Sequence, residues 1–229
     1  MSSVEIYVVV EGATEQTFVR DVLAPEMAHK GVYLNAALIG KPGHKGGNIR
    51  FRRARDDIGH YLKQRADTYV STMFDYFRID PEWPKVAEVR RRIRNGAALT
   101  AAEKAETIEE ATANEVTEAF ASYRAGHRFV PYIEMHEFEA LLFSDPDILA
   151  GTMSVDVSLI HGILRECGEP EEIDEDPTRA PSKRLERLKG GYRKVFDGRR
   201  ISQAIGIPTM RRQCDHFNDW LARLESLCN

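Results

Sequence analysis

Acidic side chains close three short apolar runs of this chain. Glu11 follows residues 6–10, Asp75 follows residues 68–74, and Glu134, Glu137 and Glu139 follow residues 129–133. Runs of this length, rich in β-branched residues, suit strands buried on both faces. Parallel strands end on one edge of a sheet, where sites collect in open α/β folds. Acids far apart in sequence can therefore converge there. Converging hard oxygens are what Mg²⁺ or Mn²⁺ requires, with water and substrate phosphate completing the octahedron. A metal held this way polarises a phosphoryl group and activates water for phosphodiester chemistry. The plain alternative is that Glu11 is a solvated turn residue and that the acids never meet.

The elements that would position these acids follow in order. After the first strand, Thr14 stands where a helix N-cap would stand, and residues 14–30 carry Phe18, Val19, Val22, Leu23 and Met27 at helical spacing. Pro25 would kink or end that helix, and Gly31 closes it. Residues 32–39 read as a second strand, and the glycine-rich stretch 40–48 forms nothing regular. Residues 49–62 read as a helix despite Gly59, and 68–74 as the third strand. The order β-α-β-α-β predicts an α/β fold, a mainly parallel sheet flanked by helices. A helical insertion is expected over about 82–126, then the fourth strand at 129–133. One short helix carries Glu137, Phe138, Leu141 and Leu142, and another begins at Ser144-Asp145-Pro146. The acidic run 169–177 reads as a solvated connector. Short helices are expected over 182–189, 192–198, 200–206 and 217–224. The division is a core at 1–151 and a helical C-terminal part at 152–229 packed on it.

The 229 residues, 42% hydrophobic and 30% charged, describe a soluble globular chain able to bury a sizeable core. The formal net charge of −4 makes any nucleic-acid surface local. Cys167, Cys214 and Cys228 have no metal-ligand spacing and read as reduced thiols. With no signal-peptide pattern and no apolar run near the roughly 20 residues of a membrane span, the expectation is a cytoplasmic protein without a membrane partner.

Five blocks carry a resemblance: E-G-A-T-E from Glu11, T-M-F-D-Y around Asp75, P-Y-I-E-M-H-E-F-E-A-L-L-F-S-D, A-P-S-K-R-L and C-D-H-F-N-D-W-L. Together they resemble the Toprim-like family called domain of unknown function 4276, over nearly the whole chain. The resemblance implies a Toprim-like core and a prokaryotic protein, often encoded beside an AAA- or ABC-type ATPase, a pairing that resembles the anti-phage nucleases in which ATPase and Toprim parts share one chain. It makes Glu11 the general acid/base and a metal contact, and Asp75 the first aspartate of the Toprim Asp-x-Asp pair. The second aspartate is replaced by Phe77. Asp80, or a glutamate of the H-E-F-E segment, would have to compensate, and Glu139 is the choice here. The metal ligands expected are thus Glu11, Asp75 and Glu139, with Mg²⁺ or Mn²⁺ as cofactor.

Substrate contacts are sought among local cations. Lys41, His44 and Lys45 in the glycine loop can cradle a phosphate, although the loop lacks P-loop spacing. Arg50, Arg52 and Arg53 follow at once, with Arg55 beside them. A second cluster spans Arg90, Arg91, Arg92 and Arg94, and a third spans Lys183, Arg184, Arg187, Lys189, Arg193 and Lys194. Each also reads as a solvated helix face. His136 is a proton donor, a phosphate contact or, more simply, a structural histidine. Trp83, Tyr132, Phe138, Phe143 and Trp220 read as core. The expected function is a metal-dependent nuclease of bacterial antiviral defence, DNA ahead of RNA, acting with an ATPase partner. The alternative is a catalytically silent adaptor that binds the ATPase or nucleic acid. A homo-oligomer is left open.

Overall fold

The computed structural model describes residues 3–40, 49–173, 176 and 178–228. Its centre is β1 (Val4–Val10), which pairs in parallel with β2 (Val32–Leu38) on one side and β3 (Thr68–Asp75) on the other. Ile6, Val8 and Val10 enter one apolar core and Val9 enters a second on the opposite face. That double burial is why the strand reads as a continuous apolar run rather than an alternating one. The sheet order is β2-β1-β3-β4, with β4 (Phe129–Val130) and β5 (Ile133–Glu134) both parallel to β3. The expected α/β class, with a parallel sheet, flanking helices and a helical C-terminal part, is what the chain adopts.

The fourth strand, expected as one run over 129–133, is broken at Pro131-Tyr132. Pro131 has no N–H to give a ladder. The Thr72 hydroxyl fills the gap, donating to the Tyr132 carbonyl at 3.0 Å and accepting from its N–H at 2.9 Å. Pairing then resumes, and Asp75 stands opposite Glu134 in register.

The first helix also differs from expectation at its start. Its N-cap is Gly12, not Thr14, and the Glu15 carboxylate accepts the Gly12 N–H at 2.9 Å. Pro25 does not end the helix. The helical segment Ala13–Phe18 passes through a π-helical turn, Val19–Leu23, into Ala24–Ala28, with Pro25 in the first turn of that last segment, where a missing N–H is tolerated. Gly31 ends the run at φ 81°.

The helix Phe51–Gln64 packs on β3 and β1. Gly59 lies inside it because the Phe120 ring crosses it closely: a Cβ built on Gly59 would lie 2.1 Å from Phe120 Cζ. We expect Gly59→Ala to destabilise the fold by about 1–3 kcal/mol, against the usual helical advantage of alanine. A urea melt reads this, and an unchanged or raised midpoint would refute the overpacking.

Helices Val86–Arg94 and Ala101–Ala119 form the insertion. The acidic run 169–177 is not merely a solvated connector. Glu171 is buried and accepts the N–H groups of His216 and Phe217 at 3.0 and 2.9 Å, at the start of the helix Asp215–Ser226. Glu172 accepts the N–H of Ala101, the first residue of Ala101–Ala119, at 2.6 Å. Helix N-termini carry orphan N–H groups and partial positive charge, and these carboxylates answer both.

Residues 192–206 make one helix, Lys194–Ile205, rather than two. Gly198 does not break it but lets Phe138 approach, since a Cβ there would lie 3.1 Å from that ring. The helix Ile207–Gln213 was not anticipated. Ile201, Met210, Phe217 and Trp220 share the core of Val8 and Val10, so the C-terminal helices cover one face of the sheet. Trp83, Tyr132, Phe138, Phe143 and Trp220 are all buried, as expected. Among the described residues, no helix is long and apolar enough to cross a membrane.

Candidate active site

The C-terminal ends of β1, β3 and β5 meet on one edge, as parallel pairing requires. Val10 is in register with Met73, so Glu11 leaves β1 beside the end of β3, where Asp75 faces Glu134. Glu15 enters from the first helical turn. Glu137 and Glu139 enter from the 3₁₀ segment Phe138–Ser144 and the residue before it. All six carboxyl groups are buried.

Burial and mutual repulsion raise the proton affinity of the group. Asp75 is held well above the usual aspartate range, first by desolvation and then by the charges of Glu15, Glu11, Glu139 and Glu137. Those four charges acting on one carboxylate place the acids in a single electrostatic cluster. Glu11 is pushed up to about 7 by burial, against the opposing pull of Arg78. Burial likewise moves Glu139 to about 7 against the pull of Lys194, and raises Glu15. Glu134 is raised by burial and by Glu171, and the Tyr132 hydroxyl donates to it at 2.8 Å.

Two cations enter this cluster. Arg78 Nη1 lies 3.3 Å from Glu11 Oε1. Lys194 Nζ lies 3.4 Å from both Glu137 Oε1 and Glu139 Oε2. The backbone fixes the rest: Phe138 N–H donates to Asp75 Oδ1 at 3.1 Å, and Ser182 N–H to Glu137 Oε2 at 3.0 Å. Glu11 Oε2, Glu139 Oε1 and Glu134 Oε1 are buried without a hydrogen-bond partner, and the Tyr192 hydroxyl interacts with Glu139.

A family model described as domain of unknown function (DUF4276) matches residues 10–225. The chain belongs to this family. Neither a curated protein nor a solved structure matches it. In this DUF4276 chain, Glu11, Asp75 and Glu139 fall in one cluster. Phe77 is half-buried against His136. Its N–H donates to the His136 carbonyl at 3.3 Å, and its ring lies 5.0 Å from the His136 ring. Asp80 is engaged locally, accepting the Glu82 N–H at 2.8 Å. His136 is buried, and burial lowers its pKa to about 3, so the ring is neutral at ordinary pH. That suits the structural reading rather than a proton donor.

The donor chemistry fits a hard divalent cation: carboxylate oxygens, three of them without a partner. The present arrangement does not gather them around one point. Among the described residues, no three His, Cys, Asp or Glu side chains are placed to hold a metal ion as they stand.

The expected phosphate contacts divide. Lys41, His44 and Lys45 lie outside the described residues. Arg50, Arg52 and Arg53 are exposed at the start of Phe51–Gln64. Ile49 bridges Ile79 in parallel, so this basic turn lies beside the loop that carries Arg78. In the third cluster, Arg184 is turned inward and donates to the Arg179 carbonyl at 3.1 Å, while Lys194 points into the acids. Arg78, Glu15 and Tyr192 were not singled out from the sequence. The four-residue spacing of Glu11 and Glu15 across a glycine turn was the available signal for Glu15. Nothing local marked the other two.

A second buried network lies across Tyr132, whose ring stacks on His216. Glu109 Oε1 accepts the Ile133 N–H at 2.8 Å and lies 3.0 Å from His216 Nε2, while Arg223 donates to Oε2 at 3.3 Å. Burial works against a charged His216. The hydrogen bond and charge of Glu109, with the charge of Glu171, outweigh it and hold the pKa above the histidine reference of 6.5. A raised pKa stabilises the fold below the unfolded value and loses that contribution as pH rises through the folded one. Unfolding free energy should therefore decline above about pH 6.5, with a slope of at most about 1.4 kcal/mol per pH unit. Glu11 and Glu139, pushed up to about 7, add a decline of the same sign, so urea melts across that range should show a steeper slope in the native chain than in His216→Gln. Equal slopes in the two chains would remove His216 from the explanation.

Proposed function

We propose that this chain hydrolyses phosphodiester bonds in nucleic acid, DNA ahead of RNA, with Mg²⁺ or Mn²⁺. The observation that carries the reading is the meeting of Glu11 and Asp75 at one sheet edge, inside a buried acid cluster that also holds two cations. A bound divalent ion would be held by Asp75, Glu139 and Glu11 and would supply Lewis acidity and water activation. The chain's own groups do the rest. Glu11, with one unpartnered oxygen and a pKa of about 7, exchanges a proton near neutral pH, where a general acid/base is most effective. Arg78, 44% exposed, reaches the same carboxylate from solvent and is placed to meet a phosphate oxygen. Arg50, Arg52 and Arg53 extend that cationic approach. Hydrolysis adds the water oxygen to phosphorus and breaks the bond to the leaving sugar oxygen. The proton lost by water is balanced by the one delivered to the leaving group.

The resemblance adds an expectation of an AAA- or ABC-type ATPase partner in bacterial defence and of a cytoplasmic setting. The test is to incubate the purified chain, alone and with an ATPase encoded beside it, with plasmid DNA and with RNA in Mg²⁺, Mn²⁺ or EDTA. Cleavage that requires metal supports the reading. Phe77, packed where the second aspartate was expected, favours the adaptor as the second reading. Nucleic-acid or ATPase binding in EDTA, with no cleavage in any metal, would establish the adaptor instead.

A further inference from the structure

The Lys194 ammonium does not saturate one carboxylate. It lies midway between two, 3.4 Å from Glu137 Oε1 and 3.4 Å from Glu139 Oε2. A tight charge-assisted hydrogen bond is about 2.7–2.9 Å, so the ammonium is held by two charges together rather than by either alone. Around it lie groups with unmet capacity. Glu139 Oε1 and Glu11 Oε2 have no hydrogen-bond partner, and both residues are at least nine-tenths buried. Lys194 is the first residue of its helix, and its side chain is 30% exposed. A flexible four-carbon stem at that position withdraws toward solvent without moving the backbone. The ammonium is thus a removable cation in a nest of hard oxygens that are not otherwise drawn together.

Resting on the reading above, we propose that Lys194 holds the place of a divalent cation. Its ammonium fills the position between Glu137 and Glu139, which makes Glu137 a cation ligand beside Glu139. When the metal enters, Lys194 leaves that position and turns to the phosphate of the substrate. Metal and anionic substrate then assist each other's binding, because each gives what the other displaces: the metal frees the ammonium, and the phosphate receives it. Such coupling is reciprocal by linkage.

The test is direct Mn²⁺ binding, read from the electron paramagnetic resonance signal of the free ion, on the full chain. Lys194→Met and Lys194→Gln should bind Mn²⁺ more tightly than the native chain without nucleic acid, by about 5-fold or more. Arg193→Met removes the same charge one residue earlier, from a side chain stacked on Phe196, and should stay within about 2-fold, as screened surface charges do. Glu137→Gln should weaken binding. A phosphorothioate oligonucleotide that resists cleavage should tighten Mn²⁺ binding to the native chain and have less effect on the Lys194 variants. Thermal melts confirm that the variants fold, and the two Lys194 substitutions guard against the failure of either one. Equal affinities in the native and Lys194 chains, or an equal shift in Arg193→Met, would overturn the displacement. If the native chain binds Mn²⁺ and cleaves while the Lys194 variants show no shift, this inference alone fails. A native chain that neither binds Mn²⁺ nor cleaves removes the nuclease reading and this inference with it.

Discussion

Glu11→Gln should leave the fold standing and remove at least about two orders of magnitude of metal-dependent cleavage, the usual contribution of a positioned acid/base group. The substitution keeps the shape of a side chain that is 95% buried, since only 5% remains exposed. It takes away the charge opposite Arg78, whose guanidinium is half in solvent and rehydrates at little cost. It also relieves the repulsion that Glu11 exerts on Asp75. The melting temperature should therefore hold or rise while turnover collapses. Supercoiled plasmid relaxation in Mn²⁺, beside a thermal melt of the same preparation, measures both. Cleavage within about 10-fold of the native rate would take Glu11 out of the chemistry.

Arg128→Met should be the most damaging single change to stability among those considered, by about 3–4 kcal/mol. The guanidinium is buried and donates to backbone carbonyls only. It reaches Thr68 O through two nitrogens at 2.9 and 2.6 Å, Leu62 O at 3.0 Å, Tyr123 O at 2.9 Å, and also Arg65 O. One side chain thereby ties the end of the helix Phe51–Gln64, the start of β3 and the end of the insertion. Methionine matches its length but leaves those carbonyls unanswered, at about 1–3 kcal/mol for each one that water cannot reach. The strand that starts at this clamp delivers Asp75 about 23 Å away, at about 3.3 Å per residue. Loss of the clamp should therefore loosen the site as well as the fold. A urea midpoint shift equivalent to less than about 1 kcal/mol would show that the carbonyls find other partners.

The parts of this molecule legible in the sequence are those that local chemistry decides. The β-branched runs gave the strands because double burial demands such residues. Gly31 and the Asp145-Pro146 pair marked a helix end and a helix start, and Asp145 does accept the Ile148 N–H at 2.9 Å. Parallel pairing allowed the convergence of Glu11 and Asp75 without requiring it, and the family resemblance pointed to it. What stayed hidden depends on partners distant in sequence. Lys194 looked like one more surface cation because nothing near it shows that its helix is laid against Phe138 and the acids. Glu171 looked solvated because its charge is answered by a helix that begins 44 residues later, at Asp215. The break at Tyr132 was masked by apolar composition on both sides, although Pro131 could have signalled it.

The pair Glu171 and Glu172 has a mechanical consequence. Two adjacent carboxylates hold the first turns of two helices, Asp215–Ser226 and Ala101–Ala119, one from the C-terminal part and one from the middle of the chain. The second of these helices also supplies Glu109, which grips the first residue of β5. A pull on the insertion is therefore not absorbed in a loop. It is carried through Glu109 to the strand whose next residue is Glu134, and through Glu172 to the C-terminal helices. Whatever grasps this chain by its insertion has a lever on the edge where the acids meet.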